Sequence, residues 1–404
     1  MTSSDPPIIR LREARSSALA MTTVTGGLTF PAELFDHIID QLYNQLDALR
    51  VCSLVCKSWV ARSQKHIFST VSFGDELDVA AWRSAFPDPQ SSPAHYTQFL
   101  TLNHPRGVPE GHISSFSNVT SLLLHIHSLD LPLTRLFGFA PSLKSLRVTF
   151  AELPFSDVLN FVYSFPLLDN LSFMGIPTAS GAKVDPPPSP PPLSGTLSLA
   201  MISEMRFAVD NLLSLPGGIH FRELVIPWIR DRDLSAVMDL ISACSHSLES
   251  LEIATPPRTY LFTRFLFRES PFLTCVFGVD TISVPRWADL SSAIHLRSIT
   301  FDCRQSSLYV DWIGVAVETI KSPRIEKMTL YMFDYRSPLQ TPEQIWLQTP
   351  VAQWLELDKV LVGFLTAHSL RLKVVPPSNL SRDLVESCVG HHFPSLFGKK
   401  MIDY

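Results

Sequence analysis

Cys52 and Cys56 stand four residues apart, a spacing that puts two thiols on one face of a helix. Thiols so placed could hold a metal or take part in redox exchange. Zinc takes about four ligands, and this segment has no Cys-x-x-Cys and only the isolated His37 and His66. The pattern therefore predicts apolar packing for both thiols. His125-x-His127 sets two imidazoles on one face of a predicted strand, roughly 6–7 Å apart, with no third ligand in view. His391-His392 lies near a flexible end, and Asp231-Arg232-Asp233 reads as a solvated helix start. There is no Gly-rich phosphate loop, nucleophile elbow, His-Glu-x-x-His or acidic metal loop, and the 16 glycines leave little material for one. The expectation is a chain with no catalytic residue, no metal and no cofactor. It is not expected to be an enzyme.

Composition narrows the remaining classes. The 404 residues are 46% apolar and 18% charged, enough for two or three units or one long repeat array. A net charge of -5 argues against a polyanion binder, which needs clustered Lys and Arg. Six irregularly spaced cysteines do not make a disulfide framework, and reduced thiols point to the cytoplasm or nucleus. Three Asn-x-Ser/Thr sequons, at Asn118, Asn170 and Asn379, read as chance matches without a secretory signal. No run of about 20 uninterrupted apolar residues is present to span a membrane. Residues 1–28 read as a disordered arm.

The elements that carry the first cysteines come next. Pro31 suits the first position of a helix and Glu33 its first turn. Leu34, Phe35, Ile38, Ile39 and Leu42 then form one wide apolar stripe at helical spacing. Tyr43-Asn44-Gln45 interrupts it. Leu49, Cys52, Val55, Cys56 and Trp59 make a second stripe, and Trp59 to Phe68 could be a short third helix. Helices this short need cover. Phe35, Ile39 and Leu54 exceed what three of them could bury among themselves, so a partner surface is expected.

Phe-Pro-x-Glu-Leu at 30–34, Ile38-Ile39-x-x-Leu42, Asp47-x-Leu49 and Leu54-Val55-Cys56-Lys57-x-Trp59 together resemble an F-box, most closely the version common in fungal proteins. The resemblance covers about a tenth of the chain, residues 29–73. It departs in having Phe30 where Leu is usual and in lacking a proline between the first two helices. It implies docking onto the Skp-type adaptor of a cullin-RING ubiquitin ligase. Pro31, Leu34, Ile38, Leu42 and Leu49 would face the adaptor or form the motif core, with Val55, Cys56 and Trp59 packing the helices behind them.

Beyond Phe68 a second pattern recurs. Val119-x-x-Leu122-x-Leu124, Leu143-x-x-Leu146-x-Val148 and Leu168-x-x-Leu171-x-Phe173 are its clearest copies. Phe221-x-x-Leu224-x-Ile226, Leu248-x-x-Leu251-x-Ile253, Leu296-x-x-Ile299-x-Phe301 and Ile325-x-x-Met328-x-Leu330 continue it. Successive starts step by 24, 25 and 27 residues, and gaps of 53 and 48 leave room for copies at Leu197-x-Leu199 and Leu273-x-x-Val276. Weaker copies stand at Leu100-x-Leu102 and Leu370-x-Leu372. The pattern resembles a leucine-rich repeat. Each copy would be a short strand with alternate residues in the core, often followed by a helix, as at Ser156–Tyr163, Leu234–Ala243 and Asp311–Ile320. Such units would stack into a curved parallel solenoid. The repeat's usual Asn or Cys is missing: His127, Ala151, Ile176 and Ile229 stand there instead, which predicts irregular turns.

The expected fold is thus α/β: a three-helix F-box, then a leucine-rich-repeat-like solenoid over 74–390, then a tail over 391–404. The proline-dense stretch within 177–195 reads as an extended loop insertion, with docking of an SH3 or WW module at Pro187-x-x-Pro190 as the sharper possibility. The expected function is substrate recognition for a Skp/cullin/F-box ubiquitin ligase. The alternative is a non-catalytic interaction protein whose F-box acts outside ubiquitin ligation. The solenoid's open face would be lined by Ser121, Leu123, Ser145, Arg147, Asn170, Ser172, Glu223, Glu252, Thr300, Lys327 and Thr329. Their mixed charge suits a protein target over a nucleic acid or a membrane.

Overall fold

In the computed structural model, residues 32–103, 114–126, 133–139, 141–178, 192–200, 202–227, 229, 233–254, 289–303, 310–332, 351–376 and 381–404 are described. Pro31, His127, Cys275, Asn379, the arm at 1–28, the copy at Leu273-x-x-Val276, Asp231-Arg232 and the core of the proline-dense stretch lie outside them. The fold is α/β. Eleven α-helices and twelve strands are described, and the strands form a parallel sheet whose order follows the chain. The chain divides into two compact units, Met1–Leu123 and Leu124–Tyr404.

The first unit opens with three helices: α1 (Ala32–Gln41), α2 (Leu46–Val55) and α3 (Lys57–Ile67). α3 packs against both α1 and α2. The apolar stripe of α1 is wider than one neighbour can cover, so Ile39 is fully buried while Leu34 and Ile38, on the flank, stay exposed. That corrects the expectation for Ile39, which is core and not surplus. Asp40 anchors the same helix, accepting from Arg62 Nε at 2.6 Å and lying 2.7 Å from His66 Nε2.

β1 (Thr70–Phe73) leads into α4 (Glu76–Ala85), which Asp75 caps by accepting from the Leu77 and Asp78 amides at 2.8 and 3.0 Å. Helix α4 lays Trp82 into an aromatic cluster with Phe68, Phe73, Phe86 and Phe116. β2 (Phe99–Leu102) pairs with β1 in parallel, and β3 (Ser121–Ile126) follows.

The second unit repeats strand and helix. Its strands are β4 (Ser145–Pro154), β5 (Asn170–Thr178), β6 (Leu193–Ala200), β7 (Ile219–Ile226), β8 (Ser250–Ala254), β9 (Ser298–Asp302), β10 (Lys327–Tyr331), β11 (Leu372–Val375) and β12 (Ile402–Asp403). Between them run α5 (Phe155–Val162), α6 (Met205–Leu213), α7 (Leu234–Cys244), α8 (Asp311–Thr319), α9 (Val351–His368), α10 (Arg382–His392) and α11 (Pro394–Gly398). The copy placed at Leu370-x-Leu372 begins its strand only at Leu372. Residues 391–404 hold the end of α10, α11 and β12, and His392 is buried.

Period-2 alternation sends one set of side chains inward from every strand. Leu146, Leu171, Leu197, Leu224, Leu251, Ile299, Met328 and Leu372 share one register row, and all are buried. The residue before a strand also plays a constant part. The carbonyls of Ser69, Gln98, Lys144, Glu249 and Arg297 each accept two consecutive amides, the second being the first residue of the next strand. Repetition of sequence has become repetition of hydrogen bonding.

Two glycines mark departures from the regular strand. Gly175 (φ +134°) and Gly195 (φ +83°) take positive φ, and a Cβ on Gly195 would stand 2.1 Å from the Asp169 carbonyl oxygen. The β6–β7 register shifts at Gly195/Thr196. Near the far end of the unit, Asp358 on α9 is almost wholly buried and accepts from the Ser395 and Leu396 amides at 2.9 and 3.0 Å. It serves as a long-range cap for α11.

Candidate functional site

Two surfaces could bind, one in each unit. The first is apolar. Leu34 and Ile38 on α1 are 50% and 55% exposed, and Val51, Leu54 and Val55 on α2 are more exposed still, Leu54 reaching 83%. On each helix the exposed residues recur at i, i+3 or i+4, so each helix presents a continuous apolar stripe to solvent. Burying such a side chain is worth up to about 1.5–3 kcal/mol. Leu49 is fully buried and Leu42 half-buried, so of the proposed docking residues these two support the helices from within. Trp59 packs against Phe35, the ring centroids 5.3 Å apart and the planes tilted by 46°.

The expected packing of Val55 and Cys56 behind the helices is not what the structure places there. Val55 is exposed, and Cys56 is the single extended residue (φ -158°, ψ 161°) between α2 and α3. Its side chain leaves the helix face and stands 3.0 Å from Ser58 Oγ. That contact lowers the thiol's pKa, the Ser58 hydroxyl acting first. Cys52 is half-buried. Val51 is an exposed apolar residue that the sequence pattern did not single out, although its i, i+3, i+4 relation to Leu54 and Val55 was available.

The second surface is the outward side of the parallel strands. Ser145, Asn170, Thr196, Glu223, Ser250, Ser298 and Lys327 fall in one register row. Two residues further along the strands runs a parallel row through Arg147, Ser172, Ser198, Val225, Glu252, Thr300, Thr329 and Lys373. The sequence pattern therefore brings Arg147, Asn170, Glu223, Glu252, Thr300 and Lys327 onto one face. Arg147, Asn170 and Lys327 are exposed, and Glu223, Glu252 and Thr300 are half-buried. Ser121 lies on β3, half-buried. Ser172 and Thr329 are buried, contrary to expectation, because short side chains in mid-row are shaded by their neighbours on both sides.

Residues one repeat apart meet across adjacent turns, a relation the repeat period makes legible. Thr196 Oγ1 donates to Glu223 Oε2 at 2.9 Å across 27 positions, and His220 Nδ1 lies 2.6 Å from His246 Nε2 across 26. The histidine pair is surface-exposed. Among the described residues no group of three or more His, Cys, Asp or Glu is placed to hold a metal ion, and no helix is long and apolar enough to cross a membrane. Burial pushes the Cys244 thiol up to about 11 and raises that of Cys303 further. No protein-family model matches the chain, and no curated protein matches it.

Proposed function

We propose that the protein is a substrate-recognition subunit of a Skp/cullin/F-box type ubiquitin ligase. The observation that carries this is the exposed apolar stripe of α1 and α2, Leu34, Ile38, Val51, Leu54 and Val55, held on helices whose own core is already filled by Ile39 and Leu49. Apolar side chains grouped on an exposed surface mark a contact site, and Leu34, Ile38, Leu54 and Val55 belong to the segment that resembles an F-box. A Skp-type adaptor would cover them and bring a cullin with it. The strand repeats support the second half of the reading. A leucine-rich-repeat-like solenoid would offer its outward strand face to a protein target, with Arg147, Asn170, Glu223, Glu252, Thr300 and Lys327 as contacts. Such a receptor makes and breaks no bonds. It holds the target at high effective concentration beside the ubiquitin-charged enzyme, in the cytoplasm or nucleus.

Co-purification with a Skp-type adaptor and a cullin tests this. The wild-type chain should bring down both, and Leu34→Asp with Ile38→Asp should bring down neither. Failure of the wild-type chain to bind the adaptor would sink the proposal. Adaptor without cullin would instead support an F-box acting outside ubiquitin ligation.

A further inference from the structure

His220 and His246 meet at the seam between two successive repeats. His220 is the second residue of β7, and His246 sits in the turn between α7 and β8. Nδ1 of the first lies 2.6 Å from Nε2 of the second, with the ring planes at 80°. Each ring stands at the surface beside a fully buried anchor, Phe221 for His220 and Leu248 for His246. The main chain beneath the two rings is tied together. Ser247 Oγ donates to the Phe221 carbonyl at 3.0 Å, and the Glu249 amide donates to the Arg222 carbonyl at 2.8 Å. On its other side His220 is held opposite Ser194 by the pairing of β6 with β7. Arg222, two residues along β7, turns its guanidinium towards Asp169 beside β5, away from the β8 side where His246 lies. Two imidazoles are thus presented together from a fixed backbone, which is the arrangement a preorganised ligand pair requires.

We propose that this pair is a two-histidine site for a divalent transition-metal ion of the imidazole-binding class, with zinc as its redox-inert member. In the hydrogen-bonded pair, one of the facing nitrogens carries a proton that the other accepts. Each neutral imidazole can instead keep its one proton on the far nitrogen and turn the near lone pair to a shared ion. The pair loses no proton in this change; one proton moves from a near nitrogen to the far nitrogen of the same ring. With zinc–nitrogen bonds of about 2.0–2.1 Å, two ligands of a tetrahedral ion stand about 3.3–3.4 Å apart, so the facing nitrogens must open by about 0.7 Å. Rings at the surface open that far by small side-chain rotations, with the main chain left in place. Among the described residues no third His, Cys, Asp or Glu joins the pair, so water fills the other positions, as at open zinc sites. The ion clasps the start of β7 to the turn before β8. No short motif announces the site, because its two ligands lie 26 positions apart.

Zn2+ itself is the probe, titrated into the full chain by calorimetry and examined at one equivalent by zinc K-edge X-ray absorption. The wild-type chain should bind an ion whose inner shell holds two imidazoles and oxygen. His220→Ala and His246→Ala should each weaken that binding by at least about tenfold and remove the two-imidazole signature. Both rings lie outside the core, so both variants should fold. His391→Ala, at the adjacent histidines of α10, and Cys56→Ser, at the exposed thiol, should leave the binding unchanged. Saturating zinc should raise the unfolding midpoint of the wild-type chain more than that of either His220→Ala or His246→Ala. Absence of binding by the wild-type chain, sulfur in the inner shell, or full binding by either histidine variant of the pair overturns the inference. Adaptor co-purification runs through α1 and α2, so this test and that of the receptor proposal give separate results.

Discussion

Arg62 on α3 grips Asp40 on α1 with both arms of its guanidinium, Nε donating to Oδ1 at 2.6 Å and Nη2 to Oδ2, while His66 Nε2 lies 2.7 Å from the same Oδ1. Helix α1 carries Leu34 and Ile38 outward and only a narrow apolar edge inward, so this polar clamp does much to fix its orientation. The guanidinium first, and His66 second, hold the Asp40 carboxyl well below the usual carboxylate range.

Loss of the clamp should loosen α1 selectively. Asp40→Asn should cost about 1–2 kcal/mol at neutral pH, the partial exposure of the pair keeping the figure modest. A carboxyl with a depressed folded pKa stabilises in full above its unfolded value of about 3.9, and that contribution fades as pH falls below it. The gap between wild type and Asp40→Asn should therefore be constant from pH 7 to about 5 and close towards pH 2. Amide hydrogen exchange over residues 32–67, followed by mass spectrometry, would read it. A gap that widens on acidification would contradict the assignment.

Exposed and buried apolar residues of the same three helices should part company on mutation. Leu34→Asp and Ile38→Asp should each cost about 1 kcal/mol or less, since each residue stays about half exposed on folding. Leu49→Ala, which empties a fully buried site, should cost about 2–5 kcal/mol. Chemical denaturation of all three, beside adaptor binding, separates a docking residue from a core residue. Loss of adaptor binding accompanied by equal unfolding in all three would remove Leu34 and Ile38 as contacts.

Asp358 should prove structural in a way its neighbours on α9 do not. It is buried and supplies both acceptors for the first free amides of α11. Asp358→Ala would leave two amides without partners, at a cost of about 2–4 kcal/mol. Protection against exchange should be lost first at residues 393–403, where α11 leads into β12. Uniform loss across the second unit would show that the cap holds more than α11.

How far the sequence foretold these features depends on the distance over which each is set. The strands were legible because Leu-x-x-Leu-x-Leu states a period-2 alternation within six residues, and a period near 25 brings copies into register, as Leu146, Leu171 and Leu197 show. Ile39 could not be told from Ile38 by type; only the position of α3 decides which is covered. Cys56 was misread because one extended residue between two helices breaks the stripe that the spacing suggested. The Asp358 cap spans 37 residues to Ser395 and has no local signal at all.

Gly195 should not tolerate a side chain. Its φ of +83° lies in the left-handed region, and an added Cβ would meet the Asp169 carbonyl oxygen, which also accepts the Thr196 amide at 2.8 Å. Gly195→Ala should destabilise by about 2–4 kcal/mol, combining backbone strain with a clash against main chain that cannot swing aside. Thermal unfolding followed by circular dichroism measures this. A variant as stable as wild type would mean that the bulge between β6 and β7 can relax.

The cysteines should react in the order their surroundings dictate. Cys56 is exposed, and the Ser58 hydroxyl can donate to its thiolate, which lowers the pKa. Cys244 and Cys303 are buried, and burial raises both thiols, Cys244 to about 11. Because the thiolate is the nucleophile, iodoacetamide at neutral pH should modify Cys56 well ahead of Cys244 and Cys303, which should react only on unfolding. Ser58→Ala should slow Cys56 by a few-fold and leave the buried pair unchanged. Peptide mapping after timed alkylation gives all these rates together. If Cys56 lies within the adaptor contact, saturating adaptor should protect it too, whereas undiminished alkylation in the complex would place the contact on α1 and the outer face of α2 alone.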